Sequence, residues 1–89
     1  MYAAIRGAEL ETRAQLHDAL QSQLNLPDYY GRNLDALYDC LTDLHEPSQI
    51  EVFDEALLKE HLGFYAHSLL ILLRRAADEN LFLTVTVEE

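Results

Sequence analysis

The sequence predicts a small α/β domain in which a three-stranded parallel sheet is packed with about four helices. Three short segments, at residues 2–6, 50–53 and 81–87, have the alternating or β-branched composition of strands. Two helical patterns separate each strand from the next, and strands joined by helical crossovers are usually parallel. A chain of 89 residues leaves no room for a second core, so residues 1–89 are expected to form a single domain.

The first strand and the first helix have clear local signals. Residues 2–6 are partly apolar and are followed by Gly7. Thr12 has a glutamine three residues later, at Gln15, which is the pattern of a capping box at the start of a helix. Pro27 prevents this helix from continuing. The predicted buried stripe of the helix consists of Leu16, Ala19, Leu20 and Leu24.

The second strand is expected to lead into a short helix. Apolar and polar residues alternate over residues 50–53, as they do in a strand with one buried face. Asp54 is expected to cap a helix that runs to about His61. Leu57 and Leu58 are expected to face the core from this helix.

The last helix and the last strand are the most apolar parts of the chain. Residues 65–79 predict a helix that is buried over a wide face, and residues 81–87 give the strongest strand signal. The apolar residues of the helix are Leu69, Leu70, Leu72, Leu73, Ala76 and Ala77. The predicted order is therefore strand, two helices, strand, two helices, strand.

A loop marked by proline and glycine leads into the helix with the most unusual charge pattern. Pro27 and Gly31 mark the loop, and Asn33 is the expected N-cap of the helix. The apolar residues that follow at helical spacing are Leu34, Leu37, Tyr38 and Leu41. The other side of the helix carries aspartates at intervals of four residues, here called the acidic stripe: Asp35, Asp39 and Asp43.

The acidic stripe is unfavourable for the stability of its own helix, which indicates that it has a function. Like charges four residues apart cost about 0.2–0.5 kcal/mol per pair, and no lysine or arginine lies on the stripe. Asp43 also lies near the negative end of the helix dipole. We interpret the stripe as a surface for a cationic partner; the simpler alternative is a solvated face of an acidic protein. Beside it, Tyr29 is expected to be an exposed interface anchor and Tyr30 to cover the helix junction.

Composition narrows the class of partner. Sixteen acidic residues against six basic ones give a formal charge of −10. This charge repels nucleic acid and anionic membranes and attracts basic proteins. The single cysteine, Cys40, cannot form an internal disulfide, and we recognise neither a secretory signal nor a segment long enough to cross a bilayer. A cytoplasmic monomer is expected.

The residue pattern argues against an enzyme or a metal protein. Only three glycines are present, so neither a P-loop nor a dinucleotide fingerprint can be written. The four histidines show no spacing that suits a zinc site, and each is expected at the surface or at its boundary. Cys40 is expected to be a buried, inert thiol. Asp35 and Asp39 stay open as a carboxylate pair for acid–base chemistry or a divalent cation, but no cofactor or metal is expected.

The central stretch, residues 26–42, resembles the signature of the barstar family, whose members are intracellular inhibitors of a secreted ribonuclease. Weaker similarities extend over the whole chain and include Ile5 and Gly7, the pair Leu16-His17, and the threonine-rich last strand. The resemblance implies a small parallel three-stranded sheet packed with helices. It also implies that the loop and the second helix enter the active site of a basic, barnase-type ribonuclease, where acidic groups take the places of RNA phosphates.

The resemblance assigns roles to individual residues. Asp39 would occupy the cationic phosphate site, Asp35 would meet neighbouring basic groups, and Tyr29 would pack on the catalytic histidine of the enzyme. Further contact residues implied by the resemblance are Gly31, Asn33, Leu34, Tyr38, Thr42 and Glu79. The acidic stripe adds Asp43. Inhibition of this kind is competitive occlusion, with no chemistry performed by the inhibitor.

The chain departs from the family pattern at positions that bear on the target. Tyr38 stands where the familiar inhibitor has tryptophan, and Asp43 with Leu44 replaces a Gly-Trp pair. Arg75 places a positive charge in the second acidic contact region of the family. The leading hypothesis is a ribonuclease inhibitor, while Arg32 and Arg75 keep open an acidic regulatory module that binds a different basic protein.

Overall fold

The computed structural model describes residues 1–88 and contains three strands and four helices in the predicted order. The elements are β1 (Tyr2–Arg6), α1 (Arg13–Leu24), α2 (Leu34–Thr42), β2 (Ser48–Phe53), α3 (Glu55–Leu62), α4 (Phe64–Glu79) and β3 (Leu83–Val87). The strands form one sheet in the order β1-β2-β3, and both neighbouring pairs are parallel. The predicted α/β fold with a three-stranded parallel sheet is confirmed.

One face of the sheet lies in the core and the other is open. In the register, Ile5 of β1 is opposite Val52 of β2, which is opposite Val87 of β3. Ile5 and Val52 are fully buried, and Val87 is partly buried. The next positions, Arg6 and Phe53, lie on the other face, where the Arg6 guanidinium carbon is 5.1 Å from the centre of the Phe53 ring. Because successive side chains alternate between faces, the helices contribute their leucines to one side only.

The helices contribute their apolar stripes to a single core, and α2 packs on α4. The fully buried leucines of the helices are Leu16, Leu20, Leu24, Leu37, Leu41, Leu58, Leu69 and Leu73. This arrangement places the acidic side of α2 outward, next to the outer face of α4. No helix among residues 1–88 has the length and apolar character needed to cross a membrane.

The helix α1 begins with the predicted capping box and hydrogen-bonds to the outer edge of β1. The predicted capping box is present: the Thr12 hydroxyl accepts a hydrogen bond from the Gln15 amide at 3.1 Å, and the Gln15 side chain accepts one from the Thr12 amide at 3.3 Å. Further along α1, the Gln23 side chain accepts from the Ala4 amide at 2.8 Å and donates to the Ala4 carbonyl at 3.0 Å. The free backbone groups at the middle of this edge strand are therefore satisfied.

Two predictions around α3 are confirmed only in part: Asp54 is the N-cap residue but does not cap with its side chain, and only one of the two leucines is buried. Asp54 lies at the N-terminal end of α3, but it has a left-handed backbone with φ of 55° and its side chain makes no capping hydrogen bond. The Asp54 carbonyl also lies close to Gly7: a Cβ atom at Gly7 would be 2.2 Å from its oxygen, so this approach leaves space only for glycine. Leu58 is fully buried as predicted, whereas Leu57 is 39% exposed because the short helix turns it away from the core.

The last strand begins at Leu83 rather than at residue 81. The Asn80 side-chain oxygen accepts a hydrogen bond from the Phe82 amide, and the Asn80 carbonyl accepts one from the Leu83 amide, both at 3.0 Å. These two bonds form a tight turn, which leaves Leu81 97% exposed. The apolar composition of residues 81–83 is that of a strand, but the turn at Asn80 excludes the first two from the sheet.

Candidate protein-binding site

The helix α2 presents two sides with different chemistry. Leu37 and Leu41 are fully buried in the core, and the three aspartates of the acidic stripe are all exposed. Asn33 starts the helix as predicted: its side-chain oxygen accepts from the Ala36 amide at 2.8 Å, and its side-chain nitrogen donates to the Gly31 carbonyl at 3.2 Å. The cap therefore fixes both the start of α2 and the glycine of the preceding loop.

The two adjacent tyrosines of the loop have opposite environments. Tyr29 is 88% exposed, and Tyr30 is 5% exposed. Both predictions, an exposed Tyr29 and a buried Tyr30, are confirmed. The Tyr30 hydroxyl oxygen lies 2.5 Å from Nδ1 of His17. An exposed aromatic ring next to a firmly held neighbour suits an interface anchor, because little conformational freedom of the loop is lost on binding.

His17 joins α1, the loop and α4 in one buried network. Its Nε2 atom lies 2.6 Å from the Tyr65 hydroxyl oxygen, and the residue is only 2% exposed. Burial lowers the pKa of His17 below its ordinary value, and the nearby Arg32 charge lowers it further. Burial also raises the pKa of Tyr30 well above its ordinary range. The prediction that His17 lies at the surface or its boundary is wrong, because two tyrosine hydroxyls satisfy both ring nitrogens inside the protein.

Arg32 holds the loop against α1. It adopts a left-handed backbone with φ of 56°, and its guanidinium lies 2.7 Å from a carboxylate oxygen of Asp18. It also donates to the Gln21 side-chain oxygen and to the Ala14 carbonyl, each at 3.2 Å. The positive charge of Arg32 is therefore paired on α1 and does not neutralise the acidic stripe.

A buried asparagine fixes the other end of α2. The Asn80 side-chain nitrogen donates to the Leu41 carbonyl at 2.9 Å and to the Leu44 carbonyl at 3.1 Å, and Asn80 is only 7% exposed. The Thr42 hydroxyl donates to the Tyr38 carbonyl at 2.9 Å, so it is used inside the helix. Sequence reasoning did not identify Asn80 as a supporting residue. Its only sequence signal is an asparagine placed directly after a predicted helix.

Asp39 lies between two surface grooves. The first has a volume of about 480 Å³, and its lining includes Tyr29, Asp39 and Asp43. The second has a volume of about 430 Å³ and runs between α2 and α4. The second groove is lined by Asp35, Tyr38, Asp39, Ser68, Ile71, Leu72 and Arg75. The exposed tyrosine and the central aspartate, predicted to act together, thus line one groove.

Tyr38 connects the acidic stripe to charged residues of α4. The Arg75 guanidinium carbon lies 5.7 Å from the centre of the Tyr38 ring. The neighbouring Glu79 carboxylate raises the pKa of the Tyr38 hydroxyl, and partial burial contributes in the same direction. Glu79, the predicted contact residue of α4, is therefore close to the predicted contact residue Tyr38 of α2.

The predicted contact residues occupy one continuous region made by the loop, α2 and the end of α4. The exposed ones are Tyr29, Gly31, Asn33, Asp35, Asp39, Asp43 and Glu79, and the half-buried ones are Leu34, Tyr38 and Thr42. Since none of them is fully buried, all present some surface to a partner. Their role as contact residues stays a prediction.

The chemical groups at this site suit binding better than covalent chemistry. Cys40, which also lines the first groove, is half-buried rather than buried as predicted. Burial raises the pKa of its thiol, and Asp39 and Asp43 raise it further, so the reactive thiolate is disfavoured at neutral pH. Within residues 1–88, no three histidine, cysteine, aspartate or glutamate side chains are grouped so that they could hold a metal ion.

Comparison with known proteins shows the family of the chain. Residues 1–87 match the family model described as Barstar (barnase inhibitor). The chain belongs to the barstar family. A Bacillus subtilis (strain 168) protein named "Putative ribonuclease inhibitor YrdF" is 41% identical over 76 residues, which cover 84% of each chain. The family model and this relative both support a function of the barnase-inhibitor type and indicate an inhibitor rather than an enzyme.

Proposed function

We propose that this protein inhibits a basic, barnase-type extracellular ribonuclease by placing α2 and the preceding loop in the active site of the enzyme. The observation that carries the proposal is the position of Asp39, which is exposed in the middle of the acidic stripe and lines the same groove as the 88% exposed Tyr29. A carboxylate and an aromatic ring at one groove are the two groups that a site for an RNA phosphate and a base would accept.

The acidic stripe supplies the mimicry of the RNA backbone. Consecutive aspartates of the stripe are four residues apart, which is ~6 Å along the helix axis. No lysine or arginine of α2 or the loop is paired with them among residues 1–88, because the Arg32 charge is already bound to Asp18. Asp35 and Asp39 form no salt bridge among residues 1–88, so the basic groups of a ribonuclease would supply the salt-bridge partners of these two carboxylates.

Net charge and local contacts would have separate effects on binding. The formal charge of −10 steers the protein toward a basic enzyme and raises the association rate. Desolvated pairs at Asp35 and Asp39, together with the Tyr29 ring, would then slow dissociation. The barnase–barstar pair is itself a known example of both effects, so their size in this protein is a matter for measurement.

The supporting contacts make the site rigid before binding. Asn33 caps the start of α2, Asn80 binds carbonyls at its end, and His17 holds Tyr30 next to the exposed Tyr29. A surface that is already ordered loses less conformational entropy on association. The proposal includes the location and the oligomeric state: the inhibitor acts as a monomer in the cytoplasm, where the enzyme is synthesised.

The second candidate function is an acidic regulatory module for a different basic protein. It is favoured by Arg75, which puts a positive charge in the groove that also contains Asp35 and Asp39. The two functions predict the same surface and differ in the identity of the partner, so only an activity measurement separates them.

Inhibition of a purified barnase-type ribonuclease tests the proposal. We expect tight inhibition that weakens when the salt concentration is raised, because exposed charges are screened. Asp39→Ala should weaken inhibition at least tenfold, as expected for a central desolvated carboxylate. Glu60→Ala removes one exposed negative charge from α3, away from both grooves, and should change inhibition by less than about threefold. If barnase-type enzymes are not inhibited at micromolar protein, the second candidate function replaces the first.

A further inference from the structure

The guanidinium of Arg75 lies close to the acidic stripe, and an aromatic ring holds it in position. Arg75 is exposed on α4 and lines the groove that also contains Asp35 and Asp39. Its guanidinium carbon lies 5.7 Å from the centre of the Tyr38 ring. In the part of the chain that the structure describes, residues 1–88, Arg75 forms no salt bridge, although Glu79 follows it by one turn of the same helix.

The position of Arg75 over an aromatic ring favours the binding of an anion. Attraction to the ring holds the guanidinium in place and leaves most of its N–H groups free at the edges. A guanidinium in this state binds a carboxylate through two parallel hydrogen bonds with little further loss of side-chain freedom. A second cation brought to the same place would be repelled. The groove therefore favours a surface that is basic opposite the aspartates and acidic opposite Arg75.

We propose that Arg75 binds a carboxylate at the edge of the active site of the target enzyme. This inference rests on the proposed function and specifies its partner. The enzyme is basic at the centre of the interface, where Asp35 and Asp39 bind, and carries an aspartate or glutamate at one point of its rim. A ribonuclease with a lysine or arginine at that point is rejected, so Arg75 selects among enzymes that share the same basic centre.

Charge reversal at Arg75 tests the proposal, because long-range steering and the proposed contact predict opposite changes in affinity. The probe is a purified barnase-type ribonuclease that the unchanged protein inhibits, and the rates of association and dissociation are measured. Arg75→Glu makes the protein more acidic, so steering alone predicts equal or faster association. The proposal predicts at least tenfold weaker binding caused by faster dissociation, because two carboxylates then face each other. Arg75→Ala should weaken binding by a smaller factor.

Arg74→Glu is the matched control. Arg74 is exposed on the same helix, is the adjacent residue, and is absent from the lining of the groove. The substitution changes the net charge by the same amount and should alter affinity by less than about threefold. Thermal melting of each variant confirms that it is folded. If Arg75→Glu binds as tightly as the unchanged protein or more tightly, the proposal is overturned.

A double-mutant cycle locates the carboxylate on the enzyme. Each acidic residue at the rim of the enzyme is replaced by alanine and is combined with Arg75→Ala. One of these pairs should show a coupling of fivefold or more, within the range of neighbouring charge pairs across interfaces. Loss of inhibition in Asp39→Ala with no coupling at Arg75 contradicts this inference and leaves the proposed function intact. No inhibition by the unchanged protein contradicts the proposed function itself.

Discussion

The Nδ1 atom of His17 lies 2.5 Å from the hydroxyl oxygen of Tyr30, which joins the first helix to the loop that carries the exposed Tyr29. The other ring nitrogen of His17 lies 2.6 Å from the hydroxyl oxygen of Tyr65 on α4. One imidazole therefore connects three parts of the chain. The candidate site depends on a buried polar network as well as on its own exposed residues.

The stability of the protein should fall between pH 7.5 and pH 5.5 through His17. In the folded protein, burial holds the pKa of His17 below 6.5, while the unfolded chain keeps the ordinary value of about 6.5. Below that pH the unfolded chain binds a proton that the folded protein does not bind. The stability contributed by neutral His17 is thus complete above pH 6.5 and is lost as the pH falls, by at most about 1.4 kcal/mol per pH unit.

Urea denaturation of the protein and of His17→Gln at the two pH values measures this effect. Glutamine does not titrate, so the variant should lack this part of the pH dependence, while contributions from the carboxylates stay the same. The variant should also be less stable at pH 7.5, because a glutamine amide can take the place of only one of the two ring nitrogens and leaves one tyrosine hydroxyl without its partner. Equal pH dependence in the two proteins would show that His17 is not held neutral.

Replacement of Asn80 should destabilise the protein by about 1–3 kcal/mol, since the Leu41 and Leu44 carbonyls lose a buried donor. Asn80→Asp should cost more than Asn80→Ala, because a carboxylate would face two carbonyl oxygens. Chemical denaturation gives both values. A loss below about 0.5 kcal/mol in both variants would mean that the end of α2 does not need Asn80.

Alanine at Gly7 should cost at least about 2 kcal/mol, because its Cβ would lie 2.2 Å from the Asp54 carbonyl oxygen and 2.8 Å from the Leu58 amide nitrogen. Gly31→Ala is a useful comparison, since the nearest atom there is a side-chain carbon of Ala36 at 3.2 Å. Its cost should be smaller than that of Gly7→Ala. The reverse order in thermal or chemical denaturation would contradict the close approach of β1 to the start of α3.

Replacement of two aspartates of the acidic stripe should have different effects on stability. Asp39 has an aspartate four residues before it and another four residues after it, so Asp39→Ala should stabilise the fold by about 0.2–0.5 kcal/mol per relieved pair at low salt. Asp35 lies in the first turn of α2, where the helix dipole favours it. Asp35→Ala should therefore be neutral or destabilising. A large loss of stability in Asp39→Ala would show that Asp39 has a structural role.

Local signals in the sequence predicted most of the fold. The capping pair Thr12 and Gln15 and the N-cap Asn33 act over three residues, so their roles could be read from spacing alone. The element order followed from periodicity in the same way. The prediction that the last strand includes residues 81 and 82 was wrong. Their apolar composition is typical of a strand, but they lie in a turn that depends on a specific hydrogen bond of the Asn80 side chain.

The residues that support the site could not be predicted, because their partners are distant in the sequence. Tyr65 is 48 residues from His17, and Leu41 is 39 residues from Asn80. Asparagine usually lies at the surface and histidine is often partly exposed. Only the structure shows which of them are buried with satisfied hydrogen bonds. The acidic stripe was visible in the sequence, but the presence of Arg75 in the same groove required the packing of α4 against α2.

The measurement that tests the central claim most directly is the steady-state kinetics of a barnase-type ribonuclease on RNA at several concentrations of this protein. Occupation of the active site by Asp39 and Tyr29 predicts competitive inhibition: the apparent KM rises with inhibitor concentration, kcat is unchanged, and Asp39→Ala abolishes most of the effect. Inhibition that lowers kcat and leaves KM unchanged, or that is as strong in Asp39→Ala, would contradict the account.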